Sequence, residues 1–280
     1  MTPTSQAPAT VSRAGRNLPA AIGVGVGLGV LIIGTLLVRK ESFLVVVAVA
    51  VALAVWELRA ALAKAAIHVP LVPCLVGMVS MLVSAYTGGA QALAVTFCLT
   101  CIGILLWRVA DGVGDAVRDI GGGILVATYP CFLVGFAALL LAADDGVARV
   151  VTFILVTVLS DVGGYAAGVL FGRHPMAPSV SPKKSWEGLA GSAMACVVGG
   201  VLSLSLLLDG SWWAGVLLGL AAVATATVGD LSESMLKRDL GIKDMGSVLP
   251  GHGGIMDRLD SLLLVAPVAW ALLAVFVPVA

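Results

Sequence analysis

Runs of about twenty apolar residues, repeated along the whole chain, set the terms for any fold this sequence can take. A helix needs roughly 20 mostly apolar residues to cross ~30 Å of hydrocarbon. Nine stretches meet that requirement, at about 20–38, 42–66, 69–86, 89–107, 120–142, 149–171, 188–208, 211–236 and 260–279. Those at 42–66 and 211–236 exceed it, so their extra turns are expected to tilt or to project into water. The runs lack the period-two alternation of a membrane barrel. Charged residues make up 11% of the chain and hydrophobic ones 60%, whereas a soluble domain carries ~25% charged residues. The expected fold is an all-α integral membrane protein, a polytopic helical bundle of about nine transmembrane helices.

Charge fixes the expected orientation. With the N-terminus inside, thirteen of the sixteen Lys and Arg fall on inner segments, and only Arg39, Lys40 and Arg149 on outer ones. Such asymmetry marks the cytoplasmic side. The expected location is a cell (inner) membrane, with both long internal polar segments, 172–187 and 237–259, facing the cytoplasm. Residues 1–18, rich in Ser, Thr, Pro and Ala, read as a flexible cytoplasmic leader. The apolar run after them is long for a signal peptide and lacks a small-residue cleavage site, so it reads as an uncleaved first span. Residues 19–147 would then form the N-terminal membrane helices, and 148–280 a C-terminal catalytic membrane domain. No long basic tail points to nucleic acid.

Two patterns are set aside. Cys98 and Cys101 form a CxxC, but no second pair follows and all five cysteines lie in apolar stretches, so buried inert thiols are expected. Gly23, Gly25, Gly27 and Gly29 superficially resemble a dinucleotide loop but lie inside a span, where close helix packing is the expected role.

Chemistry is expected in two segments that break the apolar pattern. The first holds Ser160-Asp161-Val-Gly-Gly-Tyr165 and, further on, Ser181-Pro-Lys-Lys-Ser-Trp-Glu-Gly188. A carboxylate inside a span is costly, so Asp161 must face a cavity, a cation or another helix. Lys183 and Lys184 follow a proline and precede a helix start. They suit either a phosphate site or simple charge anchoring at the membrane. In the second segment, Asp230, Glu233, Ser234 and Lys237 share one helical face, which must line a polar cavity. Lys243 and the glycine-bearing Pro250-Gly251-His252-Gly253-Gly254 follow, then Asp257, Arg258 and Asp260 near a helix start. Carboxylates among clustered cations suggest a divalent metal holding phosphates. His68 and His174 are remote from His252, which leaves His252 as a phosphate hydrogen-bond donor or as a structural imidazole.

Residues Ser234 to Asp260, S-M-L-K-R-x4-K-D-M-G-S-V-L-P-G-H-G-G-I-M-D-R-L-D, resemble the signature of the phosphatidate cytidylyltransferase family, also called CDP-diglyceride synthetases. The S-D-V-G-G-Y and S-P-K-K-S-W-E-G segments are similar to other blocks of that family, with Gly164 where Ala is more usual. The resemblance covers about 150–280. It implies the reaction of CTP with phosphatidic acid to give CDP-diacylglycerol and pyrophosphate in phospholipid biosynthesis. It also implies a magnesium requirement, with room for a monovalent cation such as K+, and is compatible with a homodimer. By motif position, Asp230 and Asp257 match the metal-binding aspartates, while Ser234, Lys237, Arg238 and His252 match positions lining the site.

The expected catalytic set is Asp230, Asp257, Lys237, Arg238 and His252, and the expected substrate-binding set is Asp161, Lys183, Lys184, Glu187, Ser234, Lys243 and Arg258. A CTP-dependent polyprenol or dolichol kinase is the alternative reading. It would transfer the γ-phosphoryl group and would need a base for a neutral alcohol. A transporter would also accommodate intramembrane carboxylates, but not the long Lys-, Gly- and His-bearing loop.

Overall fold

Inside a bilayer every backbone N–H and C=O must find a partner within the protein, which makes the helix the default for each apolar run. The computed structural model describes residues 18–112, 114–246, 248 and 253–277. Apart from Leu18, the leader expected over 1–18 lies outside the described residues, as do Pro250, Gly251 and His252. The helices are α1 (Leu18–Val38), α2 (Lys40–Lys64), α3 (Leu71–Asp111), α4 (Ala116–Val126), α5 (Leu133–Ala142), α6 (Gly146–Phe171), α7 (Trp186–Leu207), α8 (Trp212–Asp239) and α9 (Met256–Phe276). Among the described residues, seven stretches are long and apolar enough to cross a membrane, with Ala116–Ala142 taken as one. In α1 the apolar helix found is the shorter Gly25–Val38.

The 41-residue α3 covers two of the runs expected as separate spans, 69–86 and 89–107. Gly89 breaks it with φ 74° and ψ −165°. The hydroxyls of Ser84 and Thr96 lie 2.9 Å apart, whereas twelve residues of straight helix would separate them by ~18 Å. α3 therefore doubles back at Gly89 into two antiparallel arms. The run expected at 120–142 starts earlier, at Ala116, and changes pitch midway through a π-helical turn, Ala127–Phe132, that contains Pro130. Proline has no N–H for the α-helical ladder, and a wider turn accommodates the gap.

The expected all-α membrane architecture is present, with one short extended segment within 172–187. Pro175–Ala177 (β1) and Ser181–Ser185 (β2) pair as a short antiparallel hairpin. Prolines 175, 178 and 182 exclude a helix here. Pro178 follows the first residue of a turn closed by the Val180 N–H on the Ala177 carbonyl at 3.2 Å, a position its fixed φ suits.

Small residues set the approach of the later helices. A Cβ on Gly163 would lie 2.7 Å from the Gly191 carbonyl oxygen, and one on Gly191 would lie 2.7 Å from that of Gly163, so α6 and α7 touch backbone to backbone. A Cβ on Gly215 of α8 would stand 2.6 Å from the Gly200 carbonyl oxygen of α7. The glycines expected to pack α1 do not do so. Around Gly23, Gly25, Gly27 and Gly29 a Cβ would meet nothing within 4 Å among the described residues. The cysteines are all free. Cys74, Cys131 and Cys196 are buried as expected, but Cys98 lies on an exposed helix face and Cys101 is half-buried.

Polar contacts gather at the two ends of the bundle. At one, Lys40 Nζ donates to the Ala143 carbonyl (3.2 Å), and Arg149 pairs with Asp145 and the Val277 carbonyl, each at 2.5 Å. At the other, the His68 N–H donates to buried Asp119 (2.7 Å), Arg108 lies 3.4 Å from the same carboxylate, and Arg118 reaches the Ala65 carbonyl (2.7 Å).

Replacing Gly215 with Leu should wedge α7 from α8 at a point far from the polar end of α8. A loss of about 1–3 kcal/mol is expected for overpacking of this kind. It would be read as a lower thermal-unfolding midpoint of the detergent-solubilised protein, and an unchanged midpoint would refute the contact.

Candidate active site

The last turns of α8 and the first turn of α9 meet at a polar end of the bundle. Gly229 makes the meeting close, since a Cβ there would stand 2.6 Å from the Asp260 carbonyl oxygen. Asp230, Glu233 and Lys237 then project from one face of α8, as their spacing predicts. α9 starts at Met256, four residues before the expected span, so Asp257 and Arg258 lie in its first turn and Asp260 just beyond. An acidic residue there is favoured by the helix dipole. Asp257 also holds two backbone donors, accepting from Gly254 N (2.8 Å) and Met245 N (3.0 Å) through Oδ2.

Its other oxygen, Oδ1, accepts from Lys237 Nζ at 2.6 Å, and the same ammonium donates to Glu233 Oε2 at 2.9 Å. Glu233 has no solvent exposure. A buried carboxylate is tolerated only when paired, and Lys237 supplies the pair. Asp230 is met from the other side of the cavity. Lys184 Nζ of β2 stands 2.5 Å from its Oδ2, and the Ser234 hydroxyl donates to its Oδ1 at 3.3 Å.

These groups line a cavity of about 500 Å³ bounded by α6, α7, α8, α9 and the hairpin. That volume falls in the range of small-molecule sites. Of the residues expected from sequence, Asp161, Lys183, Lys184, Asp230, Lys237, Asp257 and Arg258 all line it. Ser234 is held behind Asp230.

Three others do not line the cavity. Arg238 donates from Nε to the Val180 carbonyl at 3.4 Å, at the tip of the hairpin. Lys243 is exposed. Glu187 faces the base of the hairpin, where it accepts from the N–H of Arg173 (3.1 Å) and of His174 (3.3 Å) and lies 2.5 Å from His174 Nδ1. Together with the Ser185 cap on Gly188 N (3.1 Å), it fixes how the hairpin enters α7. Glu187 thus orients Lys183 and Lys184 through the backbone that carries them. His252 lies outside the described residues.

The cavity also holds Glu233, on the helical face expected to line it, and Asp244 and Asp260, although none of the three was in the expected catalytic or substrate-binding sets. Asp260 could have been added from its three-residue spacing to Asp257. Glu57 was missed altogether. It is 1% exposed on α2, and its Oε2 accepts from Met256 N at 2.9 Å. The signal was present, because a carboxylate inside the run 42–66 raises the same question as Asp161.

The chain matches the Cytidylyltransferase family over residues 19–276. It is 39% identical over 282 residues to a Mycobacterium bovis protein named phosphatidate cytidylyltransferase, spanning 96% of this chain and 92% of that one. A protein of the same name from Mycobacterium leprae is 41% identical over 280 residues, spanning 93% and 89%. One from Brucella suis is 39% identical over 150 residues, spanning 52% of this chain and 56% of its own.

If Glu187 clamps the hairpin, Glu187→Ala should make Arg173, Lys183 and Lys184 several-fold faster targets for trypsin in the folded, detergent-solubilised protein. Cleavage there at the wild-type rate would show that the clamp is not needed.

Proposed function

The chain belongs to the cytidylyltransferase family, and from that premise we propose that it converts CTP and phosphatidic acid to CDP-diacylglycerol and pyrophosphate. The observation that carries this reading is the cavity itself, in which Lys184 and Lys237 are set against Asp230 and Asp257 at the end of membrane-crossing helices. Such a place admits a lipid headgroup from the bilayer and a nucleotide from water.

A phosphate oxygen of phosphatidic acid attacks the α-phosphorus of CTP. The new P–O bond forms as the bond to the β-phosphate bridge breaks, and pyrophosphate leaves with that electron pair. The attacking group is already an anion, so no strong base is required. The obstacle is electrostatic, because two anions must approach. Lys183, Lys184, Lys237 and Arg258 line the cavity and are the groups that hold phosphate oxygens. Arg238 acts from the hairpin tip. Glu233 holds Lys237 where it reaches Asp257, and Asp161 faces the cations from α6.

The donor set also suits the family's magnesium. Magnesium prefers one or two carboxylates, with phosphate oxygens and waters completing its shell. Asp230 and Asp257 offer two carboxylates without a closed cage, and among the described residues no group of three His, Cys, Asp or Glu forms one. Asp230 and Asp257 are the residues that would hold the ion. When bound, magnesium supplies charge neutralisation between the anionic partners.

We extend the reading to topology. The two arms of α3 and the helix α1 bring the crossings to nine, with the N-terminus and the cavity on the cytoplasmic side, where CTP is available. Residues 148–280 carry the catalytic groups, and 19–147 support them.

Replacing Asp230 or Asp257 with Ala should abolish CDP-diacylglycerol formation by purified protein while membrane insertion persists. Near-normal activity of both variants at saturating magnesium would remove the metal assignment. With α-phosphate-labelled CTP, the label should enter the lipid. Label left in CDP would instead indicate a kinase.

A further inference from the structure

Among the acidic residues of the membrane helices, Glu57 stands apart from the cavity and from the sequence segments that carry the chemistry. It lies on α2, 199 positions before its hydrogen-bond partner Met256, and is 1% exposed. A carboxylate so buried is costly unless its charge is met by hydrogen bonds. Its surroundings are backbone. Oε2 accepts from the Met256 N–H at 2.9 Å. Gly254 and Gly246 press against the same carboxylate from two sides. A Cβ on Gly254 would stand 2.8 Å from the Glu57 carboxyl carbon, and one on Gly246 would stand 2.6 Å from Glu57 Cγ. No residue larger than glycine fits at either place without displacing Glu57.

These backbone positions neighbour the ones that fix Asp257. Met245 N and Gly254 N both donate to Asp257 Oδ2, at 3.0 and 2.8 Å. Met245 precedes Gly246, and Gly254 itself touches Glu57. One side of this short backbone is therefore seated on Glu57, and its N–H groups on the other side grip Asp257. Asp257 in turn holds Lys237 at 2.6 Å. The chain of contact runs from α2 through the two ends of the α8–α9 connection to the carboxylate and cation of the cavity.

We propose that Glu57 is a positioning residue for Asp257 and Lys237, through which the N-terminal half of the protein sets the geometry of the catalytic cavity. The proposal rests on the function given above for that cavity. Glu57 does not line the cavity. It acts by keeping the Met245 and Gly254 N–H groups aimed at Asp257 Oδ2, which leaves Oδ1 directed at Lys237.

The test uses the full-length protein in detergent with CTP, short-chain phosphatidic acid and titrated magnesium. Glu57→Ala should raise the magnesium concentration for half-maximal activity and lower kcat, each by ~10–100-fold, the usual effect of losing a partner behind a metal ligand. KM for CTP at saturating magnesium should stay near wild type. Glu57→Gln keeps an oxygen for the Met256 N–H and should recover most of the loss. Independently of turnover, hydrogen exchange at the Met245, Gly254 and Met256 amides should quicken in Glu57→Ala, with α6 to α8 unchanged, and should be restored in Glu57→Gln.

A wild-type magnesium response with unchanged exchange in Glu57→Ala would overturn the proposal. So would equal damage in both variants with faster exchange throughout the bundle, which is the mark of a general packing role. If the exchange pattern appears but the wild-type protein makes no CDP-diacylglycerol, the proposed function fails while the hold of Glu57 on the Asp257 segment stands.

Discussion

Lys237 lies between Glu233 and Asp257, and the polar end of the bundle is organised around that contact. Two carboxyl groups share one ammonium, at 2.9 and 2.6 Å, and Glu233 is fully buried. Removing one member of such a set costs more than the set contributes, because the remaining charge stays buried. The arrangement therefore constrains everything nearby. α8 must end with its acidic face inward, α9 must begin where Asp257 can reach Lys237, and the α8–α9 connection must return two N–H groups to Asp257. Lys184 plays the matching part for Asp230, but it comes from the hairpin across the cavity. The cavity is thus held by ion pairs between its walls, Lys184 of the hairpin with Asp230 of α8 and Lys237 of α8 with Asp257 of α9.

Close helix approach makes these short distances attainable. With no hydrophobic drive between helices in lipid, association depends on packing, and small residues let backbones touch. Gly163 with Gly191 joins α6 to α7, Gly200 with Gly215 joins α7 to α8, and Gly229 with the Asp260 backbone joins α8 to α9. The last contact lies one residue before Asp230. A bulkier residue there would push α9 away and lengthen the distance from Lys237 to Asp257. Packing and electrostatics are therefore not separate layers of this structure.

Much of this was legible in the residues. The apolar runs mark the helices, and the break between 86 and 89 falls at the turn where α3 folds back on Gly89. Helical spacing places Asp230, Glu233 and Lys237 together. What the chain does not disclose by itself is which cation meets which carboxylate, because Lys184 and Asp230 are brought together only by the packing of α6, α7 and α8. The hairpin was hidden for a related reason, since three prolines exclude a helix but do not say what replaces it. Glu187 looked like a site residue because it follows two lysines. Its first-turn position instead turns it toward the backbone of Arg173 and His174. The α1 glycines misled because small residues are necessary for close packing but not sufficient, and nothing among the described residues packs against them.

The boundary between the two halves of the chain is a boundary of chemistry more than of packing. Asp161, both hairpin lysines and every cavity residue of α8 and α9 come from the second half. Yet Met245, Met256 and Leu263 are buried in one core with Val51, Leu58, Met78 and Val126 of the first half, and Ala137, Leu140 and Leu141 lie in another with Val156, Leu218 and Val265 of the second. The connection that aims Asp257 is thus anchored on apolar contacts and on one buried carboxylate, all supplied by helices that carry none of the recognisable motif. An ion pair of 2.6 Å needs its partners placed to a few tenths of an ångström. The early helices give the connection a fixed surface to rest on, which is a physical reason for a site this local in sequence to be built on a bundle this large.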